Sequence, residues 1–303
     1  MLERLQDGGV VVIDGGMGTE LEARGAPMDH DAWCGLANLD APDLVRAIHD
    51  DHIRAGADVI IANTFPCNRL AMEAAGFGDR VGDMNRAAVR AAIEARDRAA
   101  DGRDIAIAGS MSLWGSYDEG WQQPPDDLLS DVYGEQAEML AHAGADLLVL
   151  EMLDARWATA LAAAARTGLP VWAGIWADLG ADGRPLRPKS DRPLEVDLPA
   201  LLGAGEGIDA VLVMHTELPA VLPTLDLVAR HYDGPRGAYP HHGRWERPHW
   251  VFEDITPEAF ADEAERWLDQ GAQLAGGCCG TRPEHVRAIR ELVDRRGGGV
   301  SGR

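Results

Sequence analysis

The sequence predicts an α/β fold, a (β/α)8 (TIM) barrel built as one domain, and three observations carry that expectation. Eight short apolar, β-branched runs recur along the 303 residues, each followed by a longer helical stretch. The runs are continuously apolar rather than alternating, as parallel strands covered on both faces are. No Gly-x-Gly-x-x-Gly follows the first run, which leaves a dinucleotide-binding open sheet without support.

The first run, residues 10–13, ends at Asp14, and the second, residues 58–62, at Asn63 and Thr64. Residues 105–108 lead to Gly109-Ser110, and Leu147–Leu150 leads to Glu151. Residues 171–176 stop near Asp178, residues 210–214 at His215-Thr216, and residues 237–240 at His241-His242. The last run, residues 273–275, reaches Gly276-Gly277-Cys278-Cys279-Gly280-Thr281. Helices are expected at residues 42–55, started by Asp40, and at residues 81–100, 125–143 and 157–167. Gly-Ala-Asp recurs before two strands, at Gly56 and Gly144, with Gly-Ala-Gln at Gly271. Glycine there suits a helix C-terminus, and the repetition supports equivalent units. The domain is expected to span residues 1–295, with residues 296–303 a flexible tail. Acid, amide, acid, histidine, histidine and double cysteine thus fall at successive strand ends, where such barrels place active sites.

The balance of 50 acidic against 28 basic residues gives a net charge of -22, which disfavours nucleic acid and anionic membranes as partners. The four cysteines, Cys34, Cys67, Cys278 and Cys279, are at the level of a reducing compartment. No secretory start is visible and no apolar run is long enough to cross a bilayer. A soluble, cytoplasmic protein is expected, its oligomeric state left open.

Adjacent cysteines on a straight strand point to opposite faces, so they reach one metal only if the backbone bends, and the flanking glycines supply that freedom. The pair then reads as two thiolates for a soft cation such as zinc, against the alternatives of a strained vicinal disulfide or two inert thiols.

Several motifs together resemble the zinc-dependent homocysteine S-methyltransferases, the betaine-, S-methylmethionine- and S-adenosylmethionine-using type. Asp14-Gly15-Gly16-Met17-Gly18-Thr19-Glu20-Leu21 resembles the opening motif. Residues 56–65, residues 143–146 leading to Glu151, and Tyr239-Pro240 followed by Gly243 are similar to later ones. Gly276-Gly277-Cys278-Cys279-Gly280-Thr281 resembles the most specific signature, and the likeness covers nearly the whole chain. The family's third zinc cysteine falls at His215, and a neighbouring asparagine at Met214.

The resemblance implies a Zn2+ site of His215, Cys278 and Cys279, with His241 or His242 as an alternative nitrogen ligand or a partner of one. It implies methyl transfer from a small onium donor, S-methylmethionine or S-adenosylmethionine, to a thiol such as homocysteine, giving methionine. Glu151 is the candidate for the acceptor's ammonium, with Asp14 near it or capping the following helix. Backbone N–H groups at Gly15 and Gly16 are candidates for the carboxylate, and Asn63 and Thr64 either for substrate hydrogen bonds or for stabilising the strand-end turn. Aromatic faces attract onium cations, and the loop after the third strand offers Trp114, Tyr117 and Trp121, with Trp172, Trp176 and Trp245 near other strand ends. With imidazole replacing one thiolate the zinc site starts neutral, holds an incoming thiolate more firmly, and leaves it a weaker nucleophile. Two other functions stay open: a different acceptor or onium demethylation at this site, and a ligand-binding barrel without catalysis.

Overall fold

The computed structural model describes residues 2–114, 124–152, 157–203, 207–253 and 255–298. Eight parallel strands form the expected barrel: β1 (Val11–Val12), β2 (Val59–Ala62), β3 (Ala106–Met111), β4 (Leu147–Leu150), β5 (Val171–Ile175), β6 (Ala210–Met214), β7 (Arg236–Tyr239) and β8 (Leu274–Ala275). Each strand from β2 to β7 pairs with the next, and β8 pairs with β1. A single parallel bridge, Ile13 to Val59, closes the ring between β1 and β2. Each strand is followed by an outer helix: Pro42–Ala55, Val81–Ala99, Asp126–Ala143, Trp157–Ala165, Leu198–Gly203, Leu218–Ala229, Pro257–Asp269 and Pro283–Gly298.

The recurring Gly-x-Asp has two physical tasks. Gly56 (φ 112°) and Gly144 (φ 103°) end their helices in the left-handed conformation that glycine adopts without strain. The aspartate two residues later ties the foot of its strand to the strand before it. Asp58 accepts from the Val12 N–H at 2.9 Å, Asp146 from Ile107 at 2.8 Å and Asp209 from Val171 at 2.8 Å. These N–H groups lie where the ladder has not yet begun, and the carboxylates satisfy them.

Side chains of Ile13, Val59, Val149, Trp172 and Leu212 fill the barrel. Trp172, expected near a strand end, is therefore an interior packing residue, 1% exposed. A second, larger apolar layer lies between the strands and the helices. Among the described residues no helix is long and apolar enough to cross a membrane.

Some expectations need correction. Asp40 does not start the helix Pro42–Ala55; it closes the short helix Ala37–Asp40, and Ala41 is the N-cap. The fixed φ of Pro42 at the first helical turn makes that start without a capping side chain. β3 runs on to Met111, so Gly109 and Ser110 lie within it. A Cβ on Gly109 would lie 3.0 Å from Leu140, so the missing side chain lets the helix Asp126–Ala143 pack close. The last helix continues to Gly298, past the expected boundary at 295. Two hairpins, Asp178–Leu179 with Pro185–Leu186 and Arg244–Glu246 with His249–Val251, have only two or three residues per strand, too few for an alternation that would announce them.

The helix Pro42–Ala55 also buries His49 and His52, whose ring nitrogens have no hydrogen-bond partner among the described residues. Burial, aided by His52 for the first and Arg24 for the second, pushes both from 6.5 down to about 3. Below pH 6.5 the unfolded chain takes up protons that the folded chain refuses until about pH 3. The stability contributed above pH 6.5 is therefore lost as pH falls through that window, at about 1.4 kcal/mol per pH unit for each histidine. His49→Gln and His52→Gln should each shrink the drop in urea midpoint between about pH 7 and pH 5. An unchanged drop in both variants would place the acid sensitivity elsewhere.

Candidate active site

Beyond β8 the backbone turns sharply, and this turn brings two neighbouring thiols to one side. Cys278 Sγ and Cys279 Sγ stand 3.9 Å apart. The turn is pinned by Gly277 N–H to the Asp14 carbonyl (3.0 Å), Cys278 N–H to the Pro240 carbonyl (2.8 Å) and His242 N–H to the Cys279 carbonyl (2.9 Å). Glycine is required twice. A Cβ on Gly277 would lie 2.2 Å from Thr281 Oγ1, and Gly280 has φ 79° with its would-be Cβ 1.8 Å from the His242 carbonyl oxygen.

His215, at the end of β6, completes the group. Its φ of 41° is left-handed, an uncommon conformation for a residue with a side chain. Its Nδ1 lies 3.8 Å from Cys278 Sγ. The three ligand atoms lie within 4.8 Å of one another, and no other cluster of metal-ligating side chains of this kind occurs among the described residues. Two thiolates bound at about 2.3 Å by a tetrahedral ion stand about 3.8 Å apart, so the observed spacing fits zinc. The chemical states agree. Burial, then the neighbouring His241 and Lys189, hold His215 well below its usual range, so its ring is the neutral donor a metal needs. The Cys279 thiol and burial push Cys278 well up, so its proton leaves only against a compensating cation. His241 packs beside the His215 ring, centroids 4.5 Å apart, and is not part of the ligand triad.

A cavity of about 380 Å³ opens over these groups, lined also by Gly15, Gly16, Asn63 and Glu151. Glu151 is fixed from both sides: Tyr239 donates its hydroxyl to Oε1 at 2.9 Å, and Ser110 donates to Oε2. Burial raises its pKa, and these two hydrogen bonds act against that rise. A buried carboxylate facing a cavity is chemically suited to an ammonium group.

Other expected residues serve the framework. Asp14 does not line the cavity. Its Oδ2 accepts from the Ile61 N–H at 2.8 Å across the β1–β2 seam, while Oδ1 is buried without a hydrogen-bond partner among the described residues. Burial raises its pKa well up, with the Glu151 charge a lesser cause. Nor does it cap a helix, since Gly16 is the N-cap of Met17–Ala23. Thr64 donates to the Ser110 carbonyl at 2.8 Å and lies behind the cavity wall. Asn63 reaches the cavity, but its amide is engaged with Asn38 (2.9 Å) and Cys34 (3.1 Å). The Gly16 N–H is committed to the Thr281 carbonyl at 3.1 Å. Tyr117 and Trp121 lie outside the described residues.

One side of the cavity is aromatic. Trp114 donates its indole N–H to the Asp31 carbonyl at 2.7 Å and stacks on Trp33 at 5.3 Å. Trp245 meets both edge-on at 5.6 and 5.7 Å, and Phe65 meets Trp114 at 5.7 Å. Trp176 and Trp250 also line the cavity. Sequence reasoning missed Trp33, Phe65, Trp250, Ser110 and the hydroxyl role of Tyr239. The one signal was nine tryptophans against four phenylalanines, which does not say which rings converge.

Comparison with known proteins gives a consistent result. Residues 11–293 match the family described as homocysteine S-methyltransferase. A selenocysteine Se-methyltransferase from Brassica oleracea var. italica is 30% identical, covering 98% of this chain and 93% of that protein. Homocysteine S-methyltransferase 4 from Zea mays is 30% identical, covering 94% and 90%. Among solved structures, the metallated form of the homocysteine methyltransferase MmuM from Escherichia coli superposes with a TM-score of 0.77 at 25% identity, covering 96% of this chain and 99% of that one.

The double-cysteine turn yields a test of its own. Gly183 shares the φ of 79° but has open space around its Cα, whereas Gly280 does not. Gly183→Ala should cost about 1 kcal/mol from backbone strain alone, and Gly280→Ala about 2 kcal/mol or more. Chemical denaturation of the two variants decides it; equal costs would show that the turn yields.

Proposed function

The chain belongs to the homocysteine S-methyltransferase family, and we propose that it methylates homocysteine from a small onium donor with zinc as cofactor. The product is methionine, and S-methylmethionine or S-adenosylmethionine is the type of donor. The observation that carries this reading is the triangle of His215, Cys278 and Cys279, whose spacing suits a tetrahedral soft cation. Zinc held there would supply the Lewis acidity that keeps an acceptor thiol ionised at neutral pH. Glu151, positioned by Ser110 and Tyr239, takes the acceptor's ammonium. The wall of Trp33, Trp114 and Trp245 faces the onium carbon with electron-rich rings and keeps water from the reacting atoms.

His215 favours a second reading, in which the acceptor is another soft nucleophile. Imidazole makes the site less negative than three thiolates, which favours holding a thiolate over releasing its electron density. A selenol is more acidic and more nucleophilic than a thiol, and the selenocysteine methyltransferase relative points to that chemistry.

Purified protein should carry about one zinc per chain, and Cys278→Ser, Cys279→Ser and His215→Ala should each lose both metal and methyl transfer. A metal-free wild type without turnover on any thiol and onium donor would overturn the reading. His215→Cys should keep zinc, bind homocysteine more weakly and transfer faster at saturation; a zinc-loaded but inactive variant would favour the second acceptor. Trp114→Leu should raise the donor KM roughly tenfold while leaving the acceptor KM within about twofold. A change confined to the acceptor KM would remove the aromatic wall from donor binding.

A further inference from the structure

The hairpin Arg244–Glu246 with His249–Val251 spans the two parts of the cavity. Trp245 and Trp250 are cross-strand partners in it, so their side chains leave the same face, and both line the cavity. Their surroundings differ. Trp245 stands edge-on to Trp33 and Trp114, at 5.6 and 5.7 Å, within the aromatic wall. Trp250 stands 6.0 Å from the His215 ring and 5.5 Å from His241, beside the double-cysteine turn. One short hairpin therefore relates the wall to the metal-ligating triad.

A two-stranded hairpin is marginally stable at best by itself, so its tethers decide where Trp245 stands. On the Trp250 strand, Glu22 accepts from the Trp250 N–H at 3.0 Å and meets the His249 ring at 2.8 Å, and the Trp250 indole donates to the His242 carbonyl at 3.0 Å. At the turn, Arg247 donates from Nε to the His30 carbonyl at 2.9 Å and from Nη2 to Asp31 Oδ1 at 3.3 Å. Asp31 is itself tied to the wall, because its carbonyl accepts from the Trp114 indole at 2.7 Å. Asp29 Oδ1 stiffens that segment by accepting from the Asp31 and Ala32 N–H groups at 2.8 and 2.7 Å. A single guanidinium thus fastens the hairpin tip to the segment that leads into Trp33 and holds Trp114. Its planar fork meets two acceptors at once, which fixes a direction as well as a distance. The Arg247 and Asp31 side chains are 24% and 50% exposed, so their link acts through geometry more than through charge.

We propose that Arg247, which does not line the cavity, is a positioning residue for the donor: it holds Trp245 against Trp33 and Trp114 and so completes the cation-binding wall. The proposal rests on the methyl-transfer reading for the identity of the donor as a methyl onium compound.

Full-length wild type, Arg247→Ala, Arg247→Lys and Trp245→Leu are compared, with Arg244→Ala as a control from the same hairpin whose ion pairs, to Glu246 and Glu253, leave the tip untouched. Arg247→Ala should raise the KM for S-methylmethionine about fivefold, with zinc content unchanged and the homocysteine KM within about twofold. Arg247→Lys, which keeps the charge without the fork, should fall between the two, and Arg244→Ala should match wild type. Adding Arg247→Ala to Trp245→Leu should cost nothing more, because a residue that acts through Trp245 then has nothing left to position. A further loss in the double variant, an unchanged donor KM in Arg247→Ala, or an equal rise in Arg244→Ala overturns the proposal. Fluorescence titration with trimethylsulfonium, a methyl onium cation without an amino-acid part, makes the same comparison without turnover. If wild type transfers no methyl group, this titration decides alone. An affinity that falls about fivefold in Arg247→Ala then sustains the proposal while the transfer reading fails. Equal affinity in the two proteins, or no binding by wild type, overturns it.

Discussion

The mouth of the barrel depends on one backbone reversal, residues 276–281. Neighbouring side chains on a regular strand diverge, so the 3.9 Å between the Cys278 and Cys279 sulfurs exists only because the chain leaves strand geometry there. The reversal is tied to both flanking loops. Gly277 donates to the Asp14 carbonyl beyond β1, Cys278 to the Pro240 carbonyl beyond β7, and Gly280 to Thr19 Oγ1 at 3.1 Å. The ligand pair and the seam between β8 and β1 are therefore one construction. A fault in either displaces the other.

This coupling explains why Asp14 reads as a site residue in sequence and as a framework residue in space. An acid at a strand end is the usual signature of catalysis in a barrel. Here the β1–β2 seam has one bridge, and the carboxylate of Asp14 holds the Ile61 N–H that a longer ladder would have paired. Asp58, Asp146 and Asp209 do comparable work at the opposite ends of the strands.

The eight strands, the left-handed helix ends, the double cysteine and Glu151 were legible because each is announced by local chemistry. Apolar runs mark buried strands, glycine marks positive φ, and reactive side chains stand at run ends. His215 was legible only through its place in a motif that normally holds cysteine. The remainder depends on tertiary geometry. Ser110 and Tyr239 meet Glu151 because β3, β4 and β7 converge at the barrel mouth, and no spacing along the chain states that convergence. Trp33, Phe65 and Trp250 come from loops without period, so their meeting with Trp114 and Trp245 is invisible until the strands place those loops together.

Under the proposed function, the ligand set and the aromatic wall answer the same electrostatic problem. The Cys279 thiol and burial, and to a lesser degree Glu151, raise the cost of ionising Cys278, and a third thiolate beside it would add another negative charge to a confined space. A neutral imidazole relieves that crowding, at the expense of the negative field that would draw in a cationic donor. The attraction must then come from elsewhere. Among the described residues five tryptophans line the cavity, and the face of an indole ring attracts an onium group without carrying a formal charge. Such attraction adds nothing to the repulsion felt by a thiolate a few ångströms away, whereas an added carboxylate would. On the proposed methyl-transfer reading, the imidazole at one ligand position and the concentration of indole rings are two parts of one balance, in which the acceptor is held by charge and the donor by polarisable surface.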